Sequence, residues 1–247
     1  MATRTFLLTL ALPATAALFL TSYLQSHPLS SQKTNTIHTF RSLSPSCLLS
    51  LSLRIINPHS HIAATDSRLI TFSKRELGEM TDEEVLARCL RGFYAGWVFW
   101  PEKLLIFGLR SLGRKLVAVG FEGVDMDGPQ IVDPLDLSRE KLPEKGTVLL
   151  GGNFMVLDKY VKGGDWIGDN RKGFAGLHRF EVERIRDGER GGVQDGEEEE
   201  GGVQLWYSSI SCHPTRNKLP LPAWMFGFHE FYAQCLFRDG VAEVLRK

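Results

Sequence analysis

The chain has 247 residues, with 29 basic and 29 acidic side chains and a formal net charge of zero. That length accommodates one large domain, or one domain with appendages, and the lack of a basic excess argues against nucleic acid as a partner, because such binding rests on a positive field. The four cysteines, Cys47, Cys89, Cys212 and Cys235, are scattered without a CxxC pair, so neither a zinc site nor a disulfide framework is signalled, and no metal or cofactor is expected.

Residues 6–24 form a nearly uninterrupted apolar run, long enough to cross a bilayer core of about 30 Å. A signal anchor is the expected role for residues 1–24. A cleaved signal peptide, with Ala14-Thr15-Ala16 as the cleavage pattern, and an organelle-targeting peptide are the alternatives. Basic residues flank the run on both sides, Arg4 before it and Lys33 and Arg41 after it. The chain has no Asn-x-Ser/Thr sequon, which favours a cytosolic domain over a secreted one; a single-pass membrane protein with its domain in the cytosol is the expectation, with the secretory lumen or a mitochondrion as alternatives.

Residues 25–73 are rich in Ser, Thr, Pro and His and read as a low-complexity spacer, with the folded domain expected over 74–247. Inside the spacer, Cys47–Ile56 (CLLSLSLRII) reads as a short strand or a membrane-touching segment. His59 and His61 read as loop histidines. Thr81-Asp-Glu-Glu84 is a capping box ahead of an apolar-periodic run, and Pro101 suits the first turn of a second helix. This pair carries Phe93, Tyr94, Trp97, Phe99, Trp100, Leu104, Leu105, Ile106 and Phe107. Such a surface either packs against a sheet or rests on a membrane interface, where Trp and Tyr are favoured. Lys115–Val124 reads as a strand, and 125–145 as a connection punctuated by Pro and Asp.

The last third organises the chain. Thr147–Leu157 offers Val148, Leu150, Phe154 and Val156 on one parity of a strand, with Gly151-Gly152 marking a bulge or a close approach. In the segment 174–185, His178, Phe180 and Val182 share the inner parity, while Arg179, Glu181 and Glu183 share the outer one. Val203–Ser211 is a third strand whose inner face its composition does not reveal. Residues 186–202, with the acidic run Glu197–Glu200, read as a disordered loop of an antiparallel hairpin. After Pro222 comes a long amphipathic helix whose stripe runs through Trp224, Phe228, Phe231, Tyr232, Cys235 and Leu236 to Val241, Val244 and Leu245. Gly240 costs that helix about 1 kcal/mol relative to Ala.

Short catalytic motifs are missing: no Gly-x-Ser-x-Gly elbow, no P-loop, no Rossmann fingerprint, no HExxH. His178, on an apolar strand parity, is the one candidate general base; a hydrogen-bonded core histidine is the alternative. His213 reads as a turn residue before Pro214.

Gly176 with Arg179-Phe180-Glu181-Val182-Glu183, the strand Leu205-Trp206-Tyr207-Ser208-Ser209, the turn at His213-Pro214 and the closing helix resemble the end of START-like domains, over about residues 146–247. The resemblance is to a branch of unknown function in this helix-grip (SRPBCC) superfamily. It implies an α+β fold, an antiparallel sheet gripping a long C-terminal helix around an apolar cavity, and more strands than the three segments above supply. Binding of a lipid- or polyketide-like apolar small molecule is the implied function, with Phe154, His178, Phe180, Trp224, Phe228 and Tyr232 expected to line the site. A cofactor-free cyclase or dehydratase with His178 as base is a second expectation. A non-catalytic membrane scaffold, without a cavity and with an exposed apolar patch on residues 91–112, is a third.

Overall fold

A computed structural model describes residues 28–114, 128–158, 164–168, 173–185 and 202–247, with the backbone alone at 157, 158, 164–168, 223 and 224. In chain order the elements are α1 (Ser31–Thr34), β1 (His38–Phe40), α2 (Pro45–Leu48), α3 (Leu51–Ile56), β2 (Ala63–Ser73), α4 (Lys74–Leu77), α5 (Asp82–Ala95), α6 (Trp100–Ser111), β3 (Gln130–Ile131), a 3-10 turn (Pro134–Asp136), β4 (Val148–Leu149), β5 (Phe154–Asp158), β6 (Gly164–Gly168), β7 (Ala175–Arg184), β8 (Gly202–Cys212) and α7 (Ala223–Leu245). The fold is mixed α+β. Among the described residues eight strands are ordered β1-β2-β8-β7-β6-β5-β4-β3, every pairing antiparallel except the two-residue parallel contact of β3 with β4.

Three long strands make its centre. The expected β7–β8 hairpin is present, with Ala175 opposite Cys212 and Arg184 opposite Val203; of the acidic loop at 186–202, only Gly202 is among the described residues. The third long strand, β2, comes from the stretch expected to be a spacer. It pairs with β8 along its whole length, from Ala63↔Cys212 to Ser73↔Gly202. Residues 28–73 are thus part of the sheet and its coverings. The run expected as one strand over 147–157 is instead a hairpin, with Leu149 opposite Phe154. Its turn places Leu150, Gly151 and Gly152 at φ of 53°, 66° and 94°, a conformation glycine adopts freely and a β-branched residue resists. The anchor segment 1–24 and the strand expected at 115–124 lie outside the described residues. Among those described, no helix is long and apolar enough to cross a membrane.

The alternation on β7 orients the whole sheet. His178, Phe180 and Val182 face the helices; there Phe180 and Val182 join Ile70 and Phe72 of β2, Leu205 and Tyr207 of β8, and Phe154 and Val156 of β5 in the main core. The opposite parity is not a solvent face. Leu177, Met155, Ile210 and Cys212 form a second apolar cluster with Leu43, Cys47 and Ile56. The run Cys47–Ile56 is not a strand: it belongs to the short helices α2 and α3, each opened by a serine N-cap, Ser44 and Ser50. Arg179 and Glu181 are buried beneath this cover. Glu181 accepts from Ser44 Oγ and Ser46 Oγ, both at 2.5 Å, and from Arg179 Nε at 2.8 Å, so its burial is offset by charge-assisted hydrogen bonds.

On the inner face, α5 and α7 form one packed pair. The capping box of α5 is as expected, Thr81 and Glu84 each bonding the other's backbone N–H. α7 starts directly after Pro222 and runs 23 residues. The two helices touch through glycines: a Cβ at Gly92 would sit 2.5 Å from the Asp239 carbonyl oxygen and 2.8 Å from the Gly240 Cα, and one at Gly240 would sit 2.9 Å from Cys89 Sγ. Gly240 is therefore a contact point whose packing offsets its helix cost. With that contact made, the buried stripe of α7 is Ala233, Leu236, Phe237, Gly240, Val241 and Val244. Phe228 and Phe231, expected inside, are 65% and 43% exposed.

Gly92→Ala gains about 1 kcal/mol of helix propensity but forces the backbones apart. Its expected net effect is a loss of about 1–3 kcal/mol, read as a lower urea midpoint at unchanged slope. Gly108→Ala, which meets nothing within 4 Å on α6, is expected to raise the midpoint slightly.

Candidate functional site

Between α5, α6, α7 and the sheet lies a cavity of about 140 Å³. Its walls are largely aromatic: Phe93, Tyr94 and Phe99 from the first helix pair, Phe154 and Tyr207 from the sheet, Phe174 before β7, and Leu236 from α7. Phe93 packs edge-on against Phe180 at 5.2 Å and against His178 at 5.5 Å between ring centroids, an arrangement that adds to the area term of burying aromatic rings.

Polar groups enter at two places. At one, Tyr232 of α7 donates to Glu102 of α6 at 2.9 Å. Burial raises the Glu102 pKa against the lowering effect of that bond, and burial pushes the Tyr232 phenol far above its ordinary value. At the other, His178 lies 3.3 Å through Nδ1 from the Tyr94 hydroxyl, and its ring centroid is 6.5 Å from that of His229. His178 is half-buried, with some surface open to the hollow. Burial, then His229 and Arg68, pull its pKa down to about 3. Burial also lowers that of His229, with Asp66 acting the other way. Both rings are neutral at physiological pH.

Behind His229 lies a buried polar ladder. Arg68 pairs with Asp66 two residues before it on the same face of β2, and both are nearly inaccessible. Arg68 also donates to the Glu230 carbonyl of α7 at 2.5 Å, and its guanidinium lies over the Tyr207 ring. Ser209 of β8 donates to Asp66 Oδ1 at 2.5 Å and stands 3.4 Å from His229 Nε2. The hydroxyl proton points to the carboxylate, so His229 cannot serve as its base; in a nucleophilic pair the serine donates to histidine and the carboxylate orients the histidine. The ladder ties β2, β8 and α7 together rather than arming a nucleophile.

Of the residues expected to line the site, Phe154, His178 and Tyr232 do. Phe180 is core, packed between Phe93 and Tyr207. Phe228 is exposed and stacks on Tyr232 from outside, ring centroids 6.0 Å apart. The Trp224 side chain lies outside the described residues. As general base, His178 is weak: at a pKa of about 3 it lies far from the range near operating pH where proton abstraction is efficient. Tyr94, Glu102, Tyr207, Ser211 and His229 reach the cavity unannounced. The His229-Glu230 pair was visible in sequence, but its direction depends on how α7 is rotated. His59 and His61 lie elsewhere, with His61 Nδ1 3.0 Å from the His213 carbonyl, and among the described residues no group of three or more His, Cys, Asp or Glu is arranged to hold a metal ion. Compared with protein-family models, curated proteins and solved structures, the chain matches none.

Two outcomes follow from the burial. Unfolded, His178 takes up a proton near pH 6.5; folded, only near pH 3. Its contribution to stability is complete above pH 6.5 and drains as pH falls through that window, by about 1.4 kcal/mol per pH unit at full slope. Asp239, whose pKa burial raises to about 6, acts in the opposite sense there, favouring the folded state as pH drops below 6. Subtracting wild type from His178→Phe isolates the histidine: on acidification below pH 6.5 the variant is expected to gain relative stability in urea titrations. Separately, Arg68→Met leaves Asp66 buried without its cation and is expected to cost about 3–5 kcal/mol, measured by the same titration at neutral pH.

Proposed function

We propose that this chain is a helix-grip-like domain, tethered to a membrane through residues 6–24, that binds a neutral apolar small molecule between its sheet and α7. The supporting observation is the cavity: about 140 Å³, walled by aromatic rings, with a few convergent polar groups and two neutral histidines. Sites of that make-up bind ligands through apolar burial and fix their orientation with the polar groups. Arg68 behind the wall is paired with Asp66, and the Glu102 carboxyl on the wall accepts from the Tyr232 hydroxyl, so neither is left without a partner to recruit an ionised ligand.

Volume narrows the ligand class. An apolar cavity of about 150 Å³ takes a benzene-sized guest, whereas drug-sized ligands occupy about 300–1,000 Å³. Of the lipid- and polyketide-like ligands expected from sequence, a single-ring or short-chain molecule with one hydrogen-bonding group fits as the walls stand. Binding is favoured over a cyclase or dehydratase with His178 as base because that base is so weak.

Phenol serves as a probe of this reading. Ligand-observed NMR and a rise in melting temperature with phenol concentration are expected for wild type. Ala233→Leu, which grows a side chain on the cavity wall, is expected to abolish both responses while raising the ligand-free melting temperature, as cavity filling commonly does. Absence of any wild-type response to single-ring probes would rule the reading out.

A further inference from the structure

Outside the cavity, the same two helices leave a large apolar surface uncovered. Trp97, Trp100, Leu104, Leu105 and Leu112 are each half exposed or more, and so is Phe228; Phe231 adds 43%. Scattered apolar side chains are ordinary on a protein surface, but a contiguous group rich in aromatics marks an interaction site. These residues adjoin one another through the cavity wall. Phe99 and Glu102 face the hollow between exposed Trp100 and Leu104, and Tyr232 bridges from Glu102 to exposed Phe228.

We infer that this face, the outer side of α6 with the first turns of α7, lies on the surface of a lipid bilayer. Three features choose that occupant. Trp is favoured at the boundary between headgroups and acyl chains, where an apolar body and a polar edge are both satisfied, and two tryptophans sit here. The exposed charges between Trp97 and Arg114 are the basic Arg110, whose side chain reaches Gly151, and Arg114, and basic groups suit anionic headgroups; Glu230 is an exposed acidic group on α7. The chain itself supplies the third. The apolar run 6–24 ends four residues before Pro28, a gap that spans at most about 14 Å. Leu29 is buried in the core on the helix side of the sheet, and Lys33 lies over the Phe72 ring on that side. The domain therefore leaves its tether from the helical layer, and the surface held against the bilayer is the one that carries α6. Docked this way, the cavity adjoins the acyl region, from which an apolar ligand partitions. The docking itself stands whether or not the cavity is occupied.

The competing surface is on the opposite side of the sheet, where Leu48, Leu49 and Leu51 of the α2–α3 cover are exposed. The four native cysteines are buried, so a single added surface cysteine takes a fluorescent label selectively. The full chain is incorporated into phosphatidylcholine vesicles containing phosphatidylserine, as Leu105→Cys, Phe228→Cys or Leu49→Cys. Labels at 105 and 228 are expected to shift to the blue and to lose most of their emission to nitroxide-bearing lipid, while the label at 49 stays quenchable by aqueous iodide. Lipid quenching at 49 alone, or aqueous quenching at all three on vesicles that float, overturns the docking and leaves the tether standing. Blue-shifted labels at 105 and 228 that lipid nitroxide does not quench, with cross-linked pairs, overturn it in favour of a second copy of the chain. Failure of the chain to float with vesicles overturns tether and docking together.

Discussion

The contact of Gly92 with Gly240 sets the geometry of the inner face. Because neither residue has a Cβ, the α5 and α7 backbones come closer than larger side chains allow. That closeness fixes the rotation of α7 about its axis, and rotation decides everything along it: Ala233, Leu236 and Phe237 turn inward, Tyr232 and His229 reach the cavity, and Phe228 and Phe231 are left outside. Asp239, one residue from this contact, accepts from the Val98 N–H at 2.9 Å and so holds the turn that launches α6. Cavity wall and exposed apolar face are thus two consequences of one helix crossing.

A second constraint is electrostatic. A buried arginine is tolerable only with its charge matched, and Arg68 meets Asp66, the Glu230 carbonyl and the Tyr207 ring. Those contacts pin α7 to β2 and β8 beside the cavity. The ladder's serine and histidine resemble a catalytic pair in composition alone. Which group receives the serine proton separates a structural network from a nucleophile, and here it is the carboxylate.

Cavity and patch together also bear on the competing readings of the sequence. The scaffold reading pairs an exposed apolar surface with a solid core; the ligand reading requires a hollow. The helical pair provides both, since α5 is largely buried while α6 is buried mainly at Ile106. Of the two helices, α5 packs into the core and α6 carries the exposed apolar face.

Local chemistry was legible in the chain. The capping box at Thr81, the proline-marked starts of α6 and α7, the inner parity of β7 and its hairpin with β8 depend on side chains within a few residues of one another, and sequence displays those relations directly. His178, Phe154 and Tyr232 line the cavity, and each lies on a regular element whose apolar face the periodicity displays. What lay beyond reach was long-range. A polar stretch at 63–73 reads as spacer until β8 pairs with it over eleven residues; Arg179 and Glu181 read as a solvent face until α2 and α3 lie over them. Phe228 fits an apolar stripe by spacing and yet faces outward, since spacing gives the width of a stripe while the facing glycine sets its direction. Sequence determined the elements whose caps and periodicity are local, α5, α6, β7, β8 and α7; tertiary packing decided that 63–73 is a strand, that 147–157 folds back on itself, and which face of each element met which partner, because those choices belong to contacts between residues far apart in the chain.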